Sequence, residues 1–493
     1  MSTKRDSWAT RIGLIFAMSG AAIGLGNIVR FPTQIAKSGS GGGFMIPYFI
    51  ALILLGIPLL WVEWTLGRYG GKYGHGTLPL IFSKISKSKT LIYLGIFGLA
   101  TPLVIASYYT WVTSWGLSYS FFSLTGAYAG ADKAEFLKSF TGGSTTYFSS
   151  IVYSLIAYIL VLIATYYIMS KEIRKGLERY VSIFMPFLFL FGIILSIKVL
   201  TLGKGITEGL AYIWNPDFSQ LFNWHIWIMA AGQIFFTLSL GQGQMPVYAS
   251  YLTEKDDIAV GPLSQASLNE FVEVIIGSSI AIPAIFFFMG SISNQDMQGF
   301  NLAFTAMPMV MEKMVFGKIF GAIWFLLIFL AGFTTVFALC QPAISFLQDN
   351  FKFSKKKAAL TVIITVFILS IAPILWYHKG VFDDFDFWMG TLFLVVVSLV
   401  EVYVFSWVLG IDKGWEELNK GSKIKIHPVF RFVIKYVTPL FLLFLLVMWS
   451  LTDGINYIKN ANFYVWIGRA IMLLFLVLLA FLTYFAHKNE HEL

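Results

Sequence analysis

Asn27, Arg30, Glu63, Gln233, Asn269, Glu273, Gln341, Asp386 and Glu401 stand inside long apolar runs of this chain. Lipid makes a buried amide or charge expensive, so such residues face a cavity, a partner or unwound backbone. Thr237 and the Thr334-Thr335 pair add hydroxyls in similar surroundings. With backbone carbonyls these are the uncharged oxygens of which a hard cation takes about five or six. Any one of them alone reads more simply as a helix-to-helix hydrogen bond; grouped beside chain breaks they read as ion ligands. Glu63 suits either of two roles, taking amides freed where another helix breaks or clamping two helices together. Neither a His-carboxylate metal motif nor a nucleophile-base pair is visible, so an enzyme is not expected. The single cysteine, Cys340, reads as a small buried hydrophobe.

These residues need long apolar elements to hold them. Of 493 residues 57% are apolar and 12% charged, and the mean hydropathy is +0.74. Average soluble domains carry roughly 25% charge, which excludes an ordinary soluble protein, and the aromatic content excludes disorder. Twelve apolar windows recur, at 12–36, 44–66, 91–124, 151–170, 180–200, 226–252, 263–290, 319–346, 358–376, 385–409, 429–450 and 463–486. Each is long enough to cross a hydrocarbon core of roughly 30 Å. The expected class is therefore an all-α membrane protein of twelve spanning helices, since barrel strands are shorter and less apolar. The first window is expected to be retained, because no small-residue cleavage site follows it.

Charge placement sets the orientation. Alternate loops hold Arg68, Lys72, Lys84, Lys87 and Lys89, then Lys171, Arg174, Lys175 and Arg179, then Lys352 and Lys355 to Lys357, then Lys413, Lys420, Lys423 and Lys425. That bias puts both termini in the cytoplasm and explains the net charge of +9 without nucleic acid. Two windows are interrupted alike. The first carries Gly20, Gly24 and Gly26 beside Asn27 and Arg30; the sixth carries Ser239, Gly241, Gln242 and Gly243 before Pro246. Breaks at matching positions of two five-window halves point to a midplane site in an inverted-repeat transporter; glycine for close helix packing is the plainer alternative.

From Trp8 to about Trp466 the chain resembles the neurotransmitter:sodium symporters, and is similar to their bacterial leucine-transporter branch. The strings that carry the resemblance are Trp8-Ala9-Thr10-Arg11, Gly24-Leu25-Gly26-Asn27, Arg30-Phe31-Pro32, Phe44-Met45-Ile46-Pro47-Tyr48, Glu63-Trp64, Gly67-Arg68, Gly232 to Ser239, Leu268-Asn269-Glu270, Ala331-Gly332-Phe333-Thr334 and Asp386-Phe387-Trp388. The resemblance implies a 5+5 inverted-repeat leucine-transporter fold with two additional C-terminal helices. Its divisions fall at 1–11 (N-terminal segment and inner gate), 12–200 and 201–410 (the repeats), 411–487 (peripheral helices) and 488–493 (tail). It also implies a sodium-coupled symporter that imports a small neutral, hydrophobic or aromatic L-amino acid across the cell's inner (plasma) membrane. A non-transporting sensor of the same fold, or a symporter of another small carboxylate-bearing amine, is the alternative.

Carried over by position, two sodium ions are implied. The first takes Ala22, Asn27, Thr237 and Asn269 with the substrate carboxylate; the second takes Gly20, Ile23, Ala331, Thr334 and Thr335. Substrate would meet Leu25, Gly26 and Tyr109 with its carboxylate, and Ala22, Phe236, Thr237 and Ser239 with its amine. Ala21, Ile105, Phe236, Gln242, Thr335 and Leu339 would line its side-chain pocket. Gly24 stands where the monoamine carriers have Asp, which suggests substrates that bring their own carboxylate. Ala21 and Gln242 depart from the leucine-type pattern, and Gln242 either touches substrate or bonds to nearby backbone. Glu273, one helical turn after Asn269, stands where chloride-dependent members have a neutral residue, so chloride is not expected. The implied extracellular gate is Arg30 and Asp386 above Tyr109 and Phe236. The intracellular gate is Arg5 and Asp349 with Trp8, Ser250, Tyr251 and Gln341. The partners implied are the amino acid and the bilayer, and the twelfth window serves packing, lipid contact or a homodimer interface.

Overall fold

The computed structural model describes residues 8–292, 300–459 and 461–492. Among them every regular element is a helix, as lipid requires of a chain that must satisfy its own backbone. Ten helices are long and apolar enough to span, from Gly41–Gly71 through Phe463–Lys488, and the pair Arg11–Ala22 and Gly26–Lys37, bent by 48°, makes an eleventh. The sixth expected window differs. It is two pieces, Trp224–Thr237 and Gln244–Ala249, each too short to cross alone.

Helices Phe97–Thr125 and Gly317–Phe351 form the most extensive packed pair and sit at the centre of the bundle. Small residues set their separation: a Cβ on Gly332 would stand 2.4 Å from Thr113 Oγ1, and one on Gly116 2.9 Å from the Phe325 carbonyl oxygen. Close backbone approach is how helices associate where water gives no hydrophobic push. The spans 177–200, 429–449 and 463–488 are the most lipid-exposed, and the outward faces of the last two carry Leu440, Leu473, Leu474 and Phe481.

Of the eight π turns among the described residues, four stand at Gly26–Arg30, Leu52–Gly56, Leu302–Ala306 and Val433–Val437. Each ends two residues before a proline, Pro32, Pro58, Pro308 and Pro439. A proline has no N–H to return and crowds the carbonyl one turn back, so the preceding turn loosens. The first of these turns lies directly after the break in the first span.

Candidate functional site

Helix Arg11–Ala22 begins with Thr10, whose hydroxyl caps the Gly13 amide at 2.9 Å. Glu178 adds a second cap, accepting the amides of Ala9 at 2.8 Å and Thr10 at 3.1 Å. A carboxylate at a helix N-terminus meets the positive end of the dipole. The helix stops at Ala22, Ile23 is extended, and winding resumes at Gly26. In the gap, Asn27 Oδ1 accepts the Gly24 amide and the Tyr109 hydroxyl accepts the Leu25 amide, both at 2.8 Å. Gly24 has no room for a side chain, since a Cβ would lie 2.3 Å from the Tyr109 hydroxyl and 2.6 Å from Thr335 Oγ1.

The sixth span breaks after Thr237. Ser239, Gly241 and Gly243 all adopt positive φ, at 56°, 68° and 67°. Glu63 takes the freed Gly241 amide at 2.7 Å. The two breaks then tie together: Ser239 Oγ donates to the Ala21 carbonyl at 2.9 Å, and Gln233 Nε2 to the Gly26 carbonyl at 3.1 Å. Between them lies a narrow pocket lined by Ala21, Ala22, Gly24, Gly26, Ile105, Tyr109, Phe236, Ser239, Gln242, Thr335 and Leu339. Leu25 and Thr237 are not among its walls. Leu25 lines instead a cavity of about 200 Å³ above, which shares Tyr109 and Phe236 with the pocket as a partition. Gln242 bonds through its carbonyl to the Gln244 side chain, not to the backbone.

Two clusters of oxygens flank the pocket. In one, Asn27 Nδ2 donates to Asn269 Oδ1 at 2.8 Å, to Glu273 Oε2 at 2.9 Å and to Thr237 Oγ1 at 3.0 Å. Glu273 also accepts from Gln233 at 3.0 Å and from the Thr237 hydroxyl. Tyr48 Oη lies 2.9 Å from Glu273 and 2.8 Å from Glu270, bridging two carboxyls. All of Asn27, Tyr48, Thr237, Asn269 and Glu273 are buried. In the other cluster, Thr335 Oγ1 stands 3.3 Å from the Gly20 carbonyl, 3.4 Å from that of Ile23 and 3.2 Å from that of Ala331. Thr334 Oγ1 is 3.0 Å from the same Ala331 oxygen. One hydroxyl proton cannot serve three carbonyls, so their negative ends crowd a common point. Oxygens so arranged are of the kind that could hold a small hard cation.

At one end of the pocket the expected Arg30–Asp386 pair differs from its expected form. Asp386 Oδ1 accepts from Tyr108 at 2.8 Å, and the Arg30 guanidinium lies 4.4 Å above the Phe236 ring. Among the described residues no direct ion pair joins them, and one Arg30 nitrogen is buried without a partner. The ring face and the tyrosine hydroxyl compete for the two groups, although both line the cavity above Tyr109.

At the other end Trp8 packs edge-on against Tyr248 and Tyr251, at 5.5 and 6.4 Å between centroids, and donates to the Tyr248 carbonyl at 3.3 Å. Gln341 Nε2 and Ser345 Oγ meet the Tyr251 hydroxyl at 3.4 and 3.0 Å, while Ser250 Oγ bonds within its own turn. Asp349 lies two turns beyond Gln341 on the same helix; Arg5 falls outside the described residues. Beyond this end Lys420 and Lys72 grip Glu254 and hold its carboxyl down to about 2.

Sequence reading left several of these partners without a role. Tyr48 and Glu270 sit within strings noted above, and a carboxylate beside Asn269 in an apolar run was signal enough. Tyr108, Ser345 and Glu178 gave none: their importance comes from residues 278, 94 and up to 169 positions away.

The sequence profile of the sodium:neurotransmitter symporter family matches residues 5–139 and 147–489. A sodium-dependent transporter of Methanocaldococcus jannaschii is 32% identical over 458 residues, 89% of each chain. The sodium- and chloride-dependent GABA transporter 2 of Rattus norvegicus is 25% identical over 486 residues, 88% of this chain and 78% of its own. The crystal structure of MhsT in complex with L-phenylalanine superposes with a TM-score of 0.80 at 28% identity, covering 90% of this chain and 99% of that one.

Proposed function

This chain belongs to the sodium:neurotransmitter symporter family, and on that premise we propose that it imports a neutral, hydrophobic or aromatic L-amino acid together with two sodium ions. Its relatives are transporters, not enzymes. The observation that carries the reading is the gathering of the Gly20, Ile23 and Ala331 carbonyls on Thr335 Oγ1, oxygens from two helices turned toward one point. The second ion binds there, with Thr334. The first binds among Ala22, Asn27, Thr237 and Asn269 and is completed by the substrate's carboxylate, so each ligand raises the other's affinity.

The carboxylate also meets the N-terminal end of the rewound first span and the Tyr109 hydroxyl, where amide donors and the helix dipole favour an anion. The amine meets the carbonyl side of the breaks near Ala22, Phe236, Thr237 and Ser239. Ala21, Ile105, Phe236 and Leu339 supply apolar walls, and a solved relative bound to L-phenylalanine supports the substrate class. Gly24 leaves no acidic group to pair with a substrate amine. Glu273, bonded to Asn27 and Thr237, supplies beside the first ion the negative charge for which other members use chloride. Arg30, Asp386, Tyr109 and Phe236 close the extracellular side; Trp8, Ser250, Tyr251, Gln341 and Asp349, with Arg5, close the cytoplasmic side. Both termini are cytoplasmic, in the cell's plasma membrane.

A screen of all common amino acids in proteoliposomes, with and without an inward sodium gradient, tests this. Uptake of hydrophobic or aromatic amino acids that requires the gradient and ignores chloride is the expected result. Gradient-driven uptake of none of them overturns the reading.

A further inference from the structure

The last span contributes no wall to the central pocket or to the cavity above it, yet one of its residues reaches Asp386 through a neighbour. Helix Phe463–Glu492 packs against the short helix Val381–Phe387, which carries Asp386. Gly468 permits the approach: a Cβ there would stand 3.0 Å from Val381 Cγ1 and 3.1 Å from Phe385 Cε2. The next residue, Arg469, meets Asp384 with two nitrogens, Nη2 at 2.7 Å from Oδ1 and Nε at 3.2 Å from both oxygens. Its guanidinium also donates to the Tyr457 and Ile458 carbonyls, each at 3.3 Å. Three rings surround the cation, with centres 4.9 Å away for Trp466, 5.6 Å for Tyr457 and 5.7 Å for Trp388. The Arg469 and Asp384 side chains are only 12% and 3% exposed. A two-pronged pair in so dry a place, with rings over the cation, holds far better than an ion pair in water.

Val381–Phe387 has seven residues and is loosely joined at both ends, by Gly380 at φ 83° before it and by the π turn Trp388–Leu392 after it. Side chains, more than chain neighbours, therefore fix how it is rolled about its axis. Asp384 and Asp386 stand about 200° apart around it. One is held by Arg469 and the other by the Tyr108 hydroxyl at 2.8 Å. Gly390 leaves room for the second bond, since a Cβ there would come within 2.6 Å of Asp386 Oδ1. Rolling the helix strains the bond on one face or the other. Arg30 lines the same cavity as Asp386 and has one buried nitrogen without a partner, and opposite charges with little water between them attract strongly.

We propose that Arg469 is a positioning residue of the extracellular gate: its grip on Asp384 sets the roll of Val381–Phe387 and keeps Asp386 on Tyr108 and away from Arg30. Release of the grip lets the helix roll, Asp386 pairs with Arg30, and the cavity above Tyr109 narrows. The inference rests on the reading of Arg30 and Asp386 as that gate, and it gives the last span a task besides packing.

Alkylation of a reporter thiol in the full chain, in lipid vesicles, follows the cavity. Cys340, the chain's single cysteine, is buried. Val112→Cys, on the cavity wall one turn after Tyr108, therefore reports alone to a membrane-impermeant maleimide. Without sodium or substrate, Arg469→Gln slows this alkylation several-fold, and adding Asp386→Asn returns the original rate. Asp384→Asn combined with Arg469→Met leaves no buried charge unpaired; it slows alkylation in the same way and serves where Arg469→Gln fails to fold. An unchanged or faster rate in these variants overturns the proposal. So does slowing that Asp386→Asn fails to relieve, which marks a merely structural role. The gate reading has its own control, in which sodium with a mixture of the common L-amino acids slows alkylation of Val112→Cys alone. Indifference to that mixture overturns the gate reading and the proposal with it; a response to it beside an inert Arg469→Gln overturns the proposal alone.

Discussion

The two breaks at the centre of this protein look alike in sequence and are built on different grounds. In the first span no glycine of the gap has a positive φ; Gly24 and Gly26 are there for what lies opposite, Tyr109 and Thr335 for one and Phe236 for the other. In the sixth span Ser239, Gly241 and Gly243 are left-handed, and the backbone itself turns. A Cβ on Gly241 or Gly243 would also strike main-chain carbonyls, of Leu394 and Gly98. Side chains can move aside and main chains cannot. The first break is therefore tuned by the pocket it borders, the sixth by the scaffold it is wedged into.

The sharpest way to break that contrast is Gly241→Ala. It meets both the left-handed penalty and a backbone contact at 2.3 Å, together about 3 kcal/mol, and a large fall in the melting temperature of the purified protein is expected. An unchanged melt would erase the distinction. Gly24→Ala presses on a tyrosine hydroxyl and a threonine, which can yield at about 1–3 kcal/mol; substrate affinity measured by equilibrium binding should drop roughly 10- to 100-fold, and the ligand-free melt should fall less than that of Gly241→Ala. Thr335→Val removes one hydroxyl and leaves three carbonyls crowded, worth about 1–2 kcal/mol, so the sodium concentration for half-maximal binding should rise several-fold and Thr335→Ser should restore it. Smallest is Ser239. Ser239→Ala loses the bond to the Ala21 carbonyl and keeps the strain, costing about 1 kcal/mol of stability, whereas Ser239→Gly also sheds the left-handed cost of about 1 kcal/mol and should melt near the wild type.

The same contrast explains what the sequence let one read. Both breaks were legible because glycines and amides are conspicuous in an apolar run, whereas Glu63 was legible only as one of two things, an acceptor of freed amides or a clamp between helices, and its bond to the Gly241 amide is the first of these. The left-handed Ser239 was not, since serine carries no sign of positive φ. Tyr108 and Tyr109 are neighbours some 100° apart around a helix, and only packing decides that one holds Asp386 while the other holds the Leu25 amide. Gln242 stayed open for a similar reason: its partner is Gln244, two residues along a turn that no periodicity describes.

Finally, the walls that bound the central pocket are unequal in thickness. Toward the Arg30 end a pair of rings, Tyr109 and Phe236, stands between the pocket and a cavity of about 200 Å³. Toward the Trp8 end the seal is a stack of indole, phenols and amide fastened to helix Arg11–Ala22, which Glu178 pins at its start. Ring rotation is fast, whereas swinging a helix free takes microseconds to milliseconds. If the pocket holds the substrate proposed above, the thin wall is the one expected to open more often, and the slow step of a cycle is expected to fall on the helix.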